Sequence, residues 1–267
     1  VLLLPEDPKE CFEHAAAALD LSDRLQTPVF LMTDLDIGMN QRLCKPFVWD
    51  DARTYDRGKV MTAEDLEAGK TFGRYLDVDG DGIPFRTYPG THPTKGAFFT
   101  RGTTRNAYAQ YSERGPDYIY NMDRLQKKFK TAAQIVPAPV LRKALKPSKV
   151  GVIYYGSTSP SMLEAFELLE NEGLHLHGLR LRAFPFADAV EEFIHDQDLV
   201  FVVEQNRDAQ MRTLLINELE IDPAHLIKVL HYDGTPITAR FIYAAIRDRL
   251  QISDSTKKTS KKSKELV

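Results

Sequence analysis

Between Val150 and Leu250 the chain alternates short, uninterrupted apolar runs with stretches of helical period, and this alternation restricts the fold more than any other feature. Apolar runs occupy residues 150–155, the region of Leu174, Leu176, Leu179 and Leu181, residues 199–203, and residues 227–230. Between them, Ser159-Pro160 opens a helix through Leu163, Phe166 and Leu169 that stops at Gly173. Asp188 caps a second helix carrying Val190, Phe193 and Ile194. Met211, Leu214, Leu215 and Leu219 share a third, and Thr235-Pro236 opens a last one reaching Leu250. Strands that are apolar throughout are buried on both faces, and strands separated by helices pair in parallel. Residues 147–252 therefore read as an α/β domain with a mostly parallel sheet covered on both sides.

The first 40 residues carry a smaller version of the pattern. An apolar run at Val1-Leu2-Leu3-Leu4 leads to Asp7-Pro8-Lys9-Glu10, which offers a cap, a proline at the first helical position and an acid at the third. Phe12, Ala15, Leu19, Ser22 and Leu25 follow at helical spacing, and Pro28 restarts the chain as a second strand, Val29 to Met32. This is a βαβ unit. Because it opens inside a strand at Val1, the chain reads as the C-terminal part of a longer protein. Residues 41–146 are different: rich in Gly, Pro, Tyr, Arg and Asp, they show little periodicity before helical text at 120–134, and read as a connecting or interface-wrapping region. Residues 253–267, a Lys/Ser/Thr tail with nothing to bury, are expected to be disordered.

Charge and cysteine content narrow the function classes. The net charge is −3, of which the last twelve residues (five Lys, one Glu) contribute +4, leaving −7 on the rest; that argues against nucleic-acid binding. No apolar run approaches the roughly 20 residues of a membrane span, and no secretory pattern is visible. Cys11 and Cys44 are too few for a four-thiolate iron–sulfur cluster, and their scarcity fits a reducing, cytoplasmic setting.

Local constellations carry two readings each. Gly80-Asp81-Gly82 with Asn106 imitates a thiamine-diphosphate signature, but Ile83-Pro84 follows where a helix is needed, so coincidence is the better reading. Asp77, Asp79, Asp81 and Gly82 imitate the start of a calcium loop whose twelfth position is Tyr88 rather than Glu, and a polar turn is preferred. Ser157, in Gly156-Ser157-Thr158-Ser159, lies in a strand-to-helix turn that either cradles an anion or merely turns the chain. Glu204, Gln205 and Asn206 follow a strand at its carboxyl end, where open α/β sheets place ligands; bonding to neighbouring loops or a partner is the alternative. His92, Lys95, Arg101 and Arg105 fall within fourteen residues, suited either to an anionic cofactor or carboxylate, or to a salt-bridged interface. Cys44 has no local activating partner. No catalytic residue and no metal ligand is assigned.

Several stretches resemble one family. Pro5-Glu6-Asp7-Pro8-Lys9-Glu10-Cys11-Phe12, Thr27-Pro28-Val29 with Asp34, the run from Asp81 to Thr91 (DGIPFRTYPGT), Phe99 to Thr103, Tyr111-Ser112-Glu113, Tyr155 to Thr158 and Phe201 to Asn206 together resemble the α subunit of thiamine-diphosphate-dependent 2-oxoacid:ferredoxin oxidoreductases, of the 2-oxoglutarate type. The resemblance implies a remnant of the thiamine pyrimidine-binding domain (1–40), the irregular connecting region (41–146), and a transketolase C-terminal-like domain (147–252). It implies oxidative decarboxylation of a 2-oxoacid with coenzyme A as co-substrate and ferredoxin as electron acceptor. It places the diphosphate, its divalent metal and the iron–sulfur cluster on a β subunit in a dimer of αβ units, leaving this chain inactive alone. One departure is Ala209, in Asp208-Ala209-Gln210, where the family has glycine; a tight backbone approach there is put in question. The rival reading is a non-catalytic α/β binding or assembly module docking through Glu204-Gln205-Asn206. Co-purification with a β-type subunit separates the two.

Overall fold

The computed structural model describes residues 1–264, and it divides them into two compact units. Unit 1 gathers Val1–Leu3, Phe12–Leu31 and Pro46–Val136; unit 2 gathers Leu4–Cys11, Met32–Lys45 and the chain from Pro137 onward. The first sequence zone is thus shared between the units. In chain order the early elements are β1 (Leu2–Leu3), α1 (Pro8–Leu25), β2 (Phe30–Leu31), α2 (Leu35–Met39), α3 (Ala63–Glu67) and α4 (Gly115–Ile135). The later ones are β3 (Val140–Arg142), β4 (Val150–Tyr155), α5 (Thr158–Asn171), β5 (His177–Leu181), β6 (Ala183–Phe184), α6 (Asp188–His195), β7 (Leu199–Glu204), α7 (Gln210–Leu219), β8 (Leu226–Leu230) and α8 (Ala239–Lys264).

In unit 1, β1 and β2 pair in parallel, Leu2 opposite Phe30 and Leu3 opposite Leu31, completing the βαβ unit around α1. The aperiodic stretch after Pro46 holds more structure than its composition suggests. Thr62 and Asp65 form a reciprocal capping box for α3, each side chain meeting the other's backbone N–H. α4 begins at Gly115-Pro116, five residues before the helical text, because proline in the first turn loses no hydrogen bond. Arg53 bonds Asp20 at 2.7 Å, and Arg57 and Arg86 both reach Asp23, at 2.9 and 3.0 Å, so loop cations are spent on α1 acids. Gly82 shows why the loop needs glycine: it has φ +80°, and a Cβ there would stand 2.3 Å from the Lys128 nitrogen of α4.

Unit 2 is built on a five-stranded sheet in the order β3-β5-β4-β7-β8, parallel except for β3, which runs antiparallel to β5. The four parallel strands are those expected. β3 is an addition, three residues long and therefore too short to show a period, and it sits at the edge where a preceding proline is tolerated. Successive residues of each central strand serve opposite faces. Val152, Tyr154, Phe201 and Val203 pack with Met162, Phe166 and Leu169 of α5 and Ile242 and Ile246 of α8. Ile153, Val200 and Val202 pack with Val190, Phe193 and Ile194 of α6 and Met211 and Leu215 of α7. The two-faced burial is the physical reason the strand runs are apolar throughout.

α8 is given to Lys264 and so runs into the Lys/Ser/Thr tail; lysine is a good helix former, and a helix anchored by Ile242 and Ile246 need only propagate. Residues 265–267 lie outside the described residues. Among the described residues no helix is long and apolar enough to cross a membrane.

Candidate binding cleft of unit 2

The carboxyl ends of β4 and β7 open onto a cleft of about 500 Å³ whose walls include Asp34, Leu35 and Ile37 of the α2 turn, Gly156 and Thr158 of the β4–α5 turn, Gln205 and Asn206 after β7, and Gln210 at the start of α7. This is the position at which a parallel sheet leaves space between diverging loops. A polar chain organises its base. Gln205 Nε2 donates to Ser157 Oγ at 2.8 Å and lies 3.3 Å from Thr158 Oγ1, while the Ser157 hydroxyl donates to the Asp34 carboxylate. Asp34 also caps α2, accepting from the Ile37 N–H at 3.0 Å.

Ser157 and the run Glu204-Gln205-Asn206, separate candidates in the sequence, lie together at the strand ends, and the structure gives them different tasks. Gln205 and Asn206 line the cleft. Glu204 is fully buried and turned away from it: its carboxylate accepts the Met211 N–H at 2.7 Å, the Arg212 N–H at 3.0 Å and Asn206 Nδ2 at 2.8 Å. An acid there meets the positive end of α7, a stable place for a buried charge. Burial, and then the adjacent Glu204 carboxylate, push the Tyr155 phenol up, so it stays protonated. Ser157 is buried, and its hydroxyl is bound to an acid, as is that of Ser159, which donates to Glu6. Two carboxylates beside the turn disfavour an anion cradle and favour the plain strand-to-helix turn. The lining residues bring carboxylates (Asp34 and Asp36), amides, hydroxyls and apolar walls to the cleft.

The four cations of the middle region do not converge. His92 accepts the Thr94 and Lys95 N–H groups on Nδ1, which leaves Nε2 to meet Glu67, and Lys95 Nζ bonds the same Glu67 at 3.0 Å. Arg101 lies over the Tyr111 ring at 5.9 Å. Arg105 lines a cavity belonging to unit 1.

Two features escape a linear reading. Asp34 belongs to the cleft through a partner 123 positions away, and no spacing rule connects it with Ser157. Glu10 is joined to β5: Arg180 donates to it at 2.7 and 3.2 Å and Arg182 at 2.7 Å, with the Glu6 N–H adding a bond at 2.8 Å. Burial alone would raise the Glu10 carboxyl, but these bonds outweigh it and hold the pKa at about 2. The Asp77, Asp79 and Asp81 carboxylates do gather within 4.8 Å of one another. The Lys59 ammonium already sits there, 2.6 Å from Asp79 and 2.7 Å from Asp81, as the cation of that turn.

No protein-family model matches the sequence. Among curated proteins, the α subunit of a 2-oxoacid:ferredoxin oxidoreductase from Saccharolobus solfataricus is 26% identical over 244 residues, 89% of this chain and 37% of that protein. The α subunit of 2-oxoacid:ferredoxin oxidoreductase 2 from Aeropyrum pernix is 25% identical over 262 residues, 95% of this chain and 39% of its own. The chain thus spans well under half the length of these relatives. Among solved structures, the 2-oxoglutarate:ferredoxin oxidoreductase from Magnetococcus marinus, with 2-oxoglutarate, coenzyme A and succinyl-CoA bound, has the same fold over 92% of this chain and 41% of its own, at a TM-score of 0.78 and 20% identity.

Proposed function

We propose, on the premise that this chain is homologous along nearly its whole length to the α subunits of 2-oxoacid:ferredoxin oxidoreductases, that it is the C-terminal portion of such a subunit. The activity it serves is oxidation of a 2-oxoacid, here 2-oxoglutarate, with coenzyme A. Carbon dioxide leaves, the acyl group forms a thioester with coenzyme A, and the two electrons released pass singly to ferredoxin. What carries the reading is that the similarity extends through both units, the irregular middle region included. A bare α/β module would match in the sheet alone.

The chain's own donors do not fit the two redox groups of that chemistry. Cys11 and Cys44 are the two thiols, one half-buried and one exposed, and a cluster needs four ligands. Gly80-Asp81-Gly82 is a closed turn: Asp81 accepts the Ile83 N–H at 2.7 Å and pairs with Lys59, and the next helix begins only at Gly115. No amide-rich helix start is left there for a diphosphate. In this reading, as the resemblance implies, thiamine diphosphate with its divalent metal and the iron–sulfur cluster are held mainly by a β subunit. This portion provides the sheet, the cleft and the surfaces on which they assemble, in an αβ complex within the cytoplasm.

The test is co-expression of the complete α subunit with its β-type partner, followed by affinity purification through either chain. The reading expects a stable complex that reduces ferredoxin only when both a 2-oxoacid and coenzyme A are present, with 2-oxoglutarate turned over faster than pyruvate. Failure of the chains to co-purify would favour the independent binding module. A complex that prefers pyruvate would remove the substrate assignment and leave the family reading intact.

A further inference from the structure

Unit 1 contains a cavity of about 350 Å³ into which four cationic side chains converge: Arg74, Arg105, Arg124 and Lys128. None of the four forms an ion pair with an acid among the described residues. Three guanidinium groups crowd the single ring of Tyr75, with Arg105 at 5.1 Å, Arg74 at 5.5 Å and Arg124 at 5.7 Å from its centroid. Arg124 and Lys128 are each only 7% exposed. Arg124 donates one bond, to the Gly82 carbonyl at 2.9 Å, and its Nε has no partner; Nε of Arg105 is likewise unpartnered. Lys128 has one weak contact, to the Gln26 carbonyl at 3.3 Å. Asp77 is the acid whose charge reaches Arg124, but its oxygens accept the N–H groups of Gly80 and Gly82.

Buried like charges without a counter-ion destabilise a fold, and packing does not require them here, since apolar side chains of similar volume would fill the same space. We infer that this cavity is a binding site for a phosphoryl anion, the organic remainder of which lies against Tyr118, Met122 and Leu125 at the rim. Two or more charges on the ligand match the four cations better than a lone carboxylate does, and guanidinium groups present paired donors to phosphoryl oxygens. Asn121, Thr103 and Thr104 supply neutral polar lining. The cations stand at three separate points of the sequence, with Arg74 and Arg105 on loops and Arg124 and Lys128 one turn apart on α4, so nothing local in the chain announces the site.

Inorganic pyrophosphate, titrated calorimetrically into the 267-residue chain at low ionic strength, tests the inference. One saturable site is expected, weakened by salt. Arg74→Gln and Lys128→Met should each weaken it about tenfold or more, the loss of a charge-assisted contact. Lys130→Gln, an exposed cation on the same helix, should leave it unchanged. Lys128→Met also separates binding from folding, because it should lower affinity while raising the thermal midpoint; a purely structural lysine would lower both. Absence of saturable binding at millimolar pyrophosphate, or equal weakening by Lys130→Gln, overturns the site. Tighter binding of succinate than of pyrophosphate overturns the phosphoryl assignment.

Discussion

Ala209 holds φ +52° and ψ +50° at the start of α7, a left-handed conformation that costs an L-residue about 1 kcal/mol relative to glycine. The glycine that the resemblance places there has a backbone reason, and alanine keeps the conformation without the freedom. Ala209→Gly is therefore expected to stabilise the chain by about 1 kcal/mol, read as a higher urea midpoint with unchanged slope. Lys128 has the opposite relation to its surroundings. Burial, then the charges of Arg124 and Arg74, depress its pKa from 10.5 to about 8. Lys128 and the amine of Val1 also repel each other. A lowered lysine pKa means the unfolded chain binds the proton more tightly, so the penalty is full below pH 8 and vanishes as pH rises towards 10.5. Lys128→Met should stabilise by about 2–3 kcal/mol at pH 7, with the gap to the wild type closing above about pH 10 in paired melts. At this scale the sequence reveals residue types but not the directions of their bonds. Ser157, Gln205 and Asn206 were legible because they follow strand ends. The Glu204 carboxylate, pointing at α7 instead of the cleft, was not.

At the scale of elements, α1 shows how a local signal acquires a distant purpose. Asp7 caps the helix by accepting the Glu10 N–H at 2.7 Å, which was readable from Asp-Pro-Lys-Glu. The same Glu10 then ties this first turn to β5 through Arg180 and Arg182, a link that sequence separation conceals. Its folded pKa of about 2, against 4.5, corresponds to about 3 kcal/mol, present above pH 4.5 and lost as pH falls through 2. Glu10→Gln should cost about that much at neutral pH and progressively less in acid, which chemical denaturation across pH 2–7 will read. The parallel strands were legible because burial on both faces removes polar residues from them. β3 was not, since three residues carry no period. α3 and the first turn of α4 were missed for a related reason: short capped turns in a Gly- and Pro-rich setting look like loop until the cap bonds are seen.

For the whole molecule, the decisive question is how far the sheet of unit 2 depends on the short segments that precede it in sequence. A chain starting at residue 137 keeps all five strands and α5 to α8, along with the two apolar layers around Phe166 and Leu215. It loses Glu6 and Glu10. Arg180, 8% exposed at its side chain and bonded to both, would then be a buried cation with neither of these acids to meet it. Removing one side of a buried pair costs about 3–5 kcal/mol, a large fraction of what a domain of this size has. The strand pattern alone promised an autonomous domain; the ion pairs predict one that is folded but weak. Arg180→Met distinguishes these outcomes by its sign. In the 267-residue chain it takes from Glu10 one of the cations that hold it and should lower stability by about 2–3 kcal/mol. In the chain of residues 137–251 it removes an uncompensated charge and should raise stability by a similar amount. Paired urea melts of the four proteins give the answer. If Arg180→Met changes both backgrounds in the same direction, Glu6 and Glu10 are surface decoration on a self-sufficient sheet, and the dependence argued from their geometry is wrong.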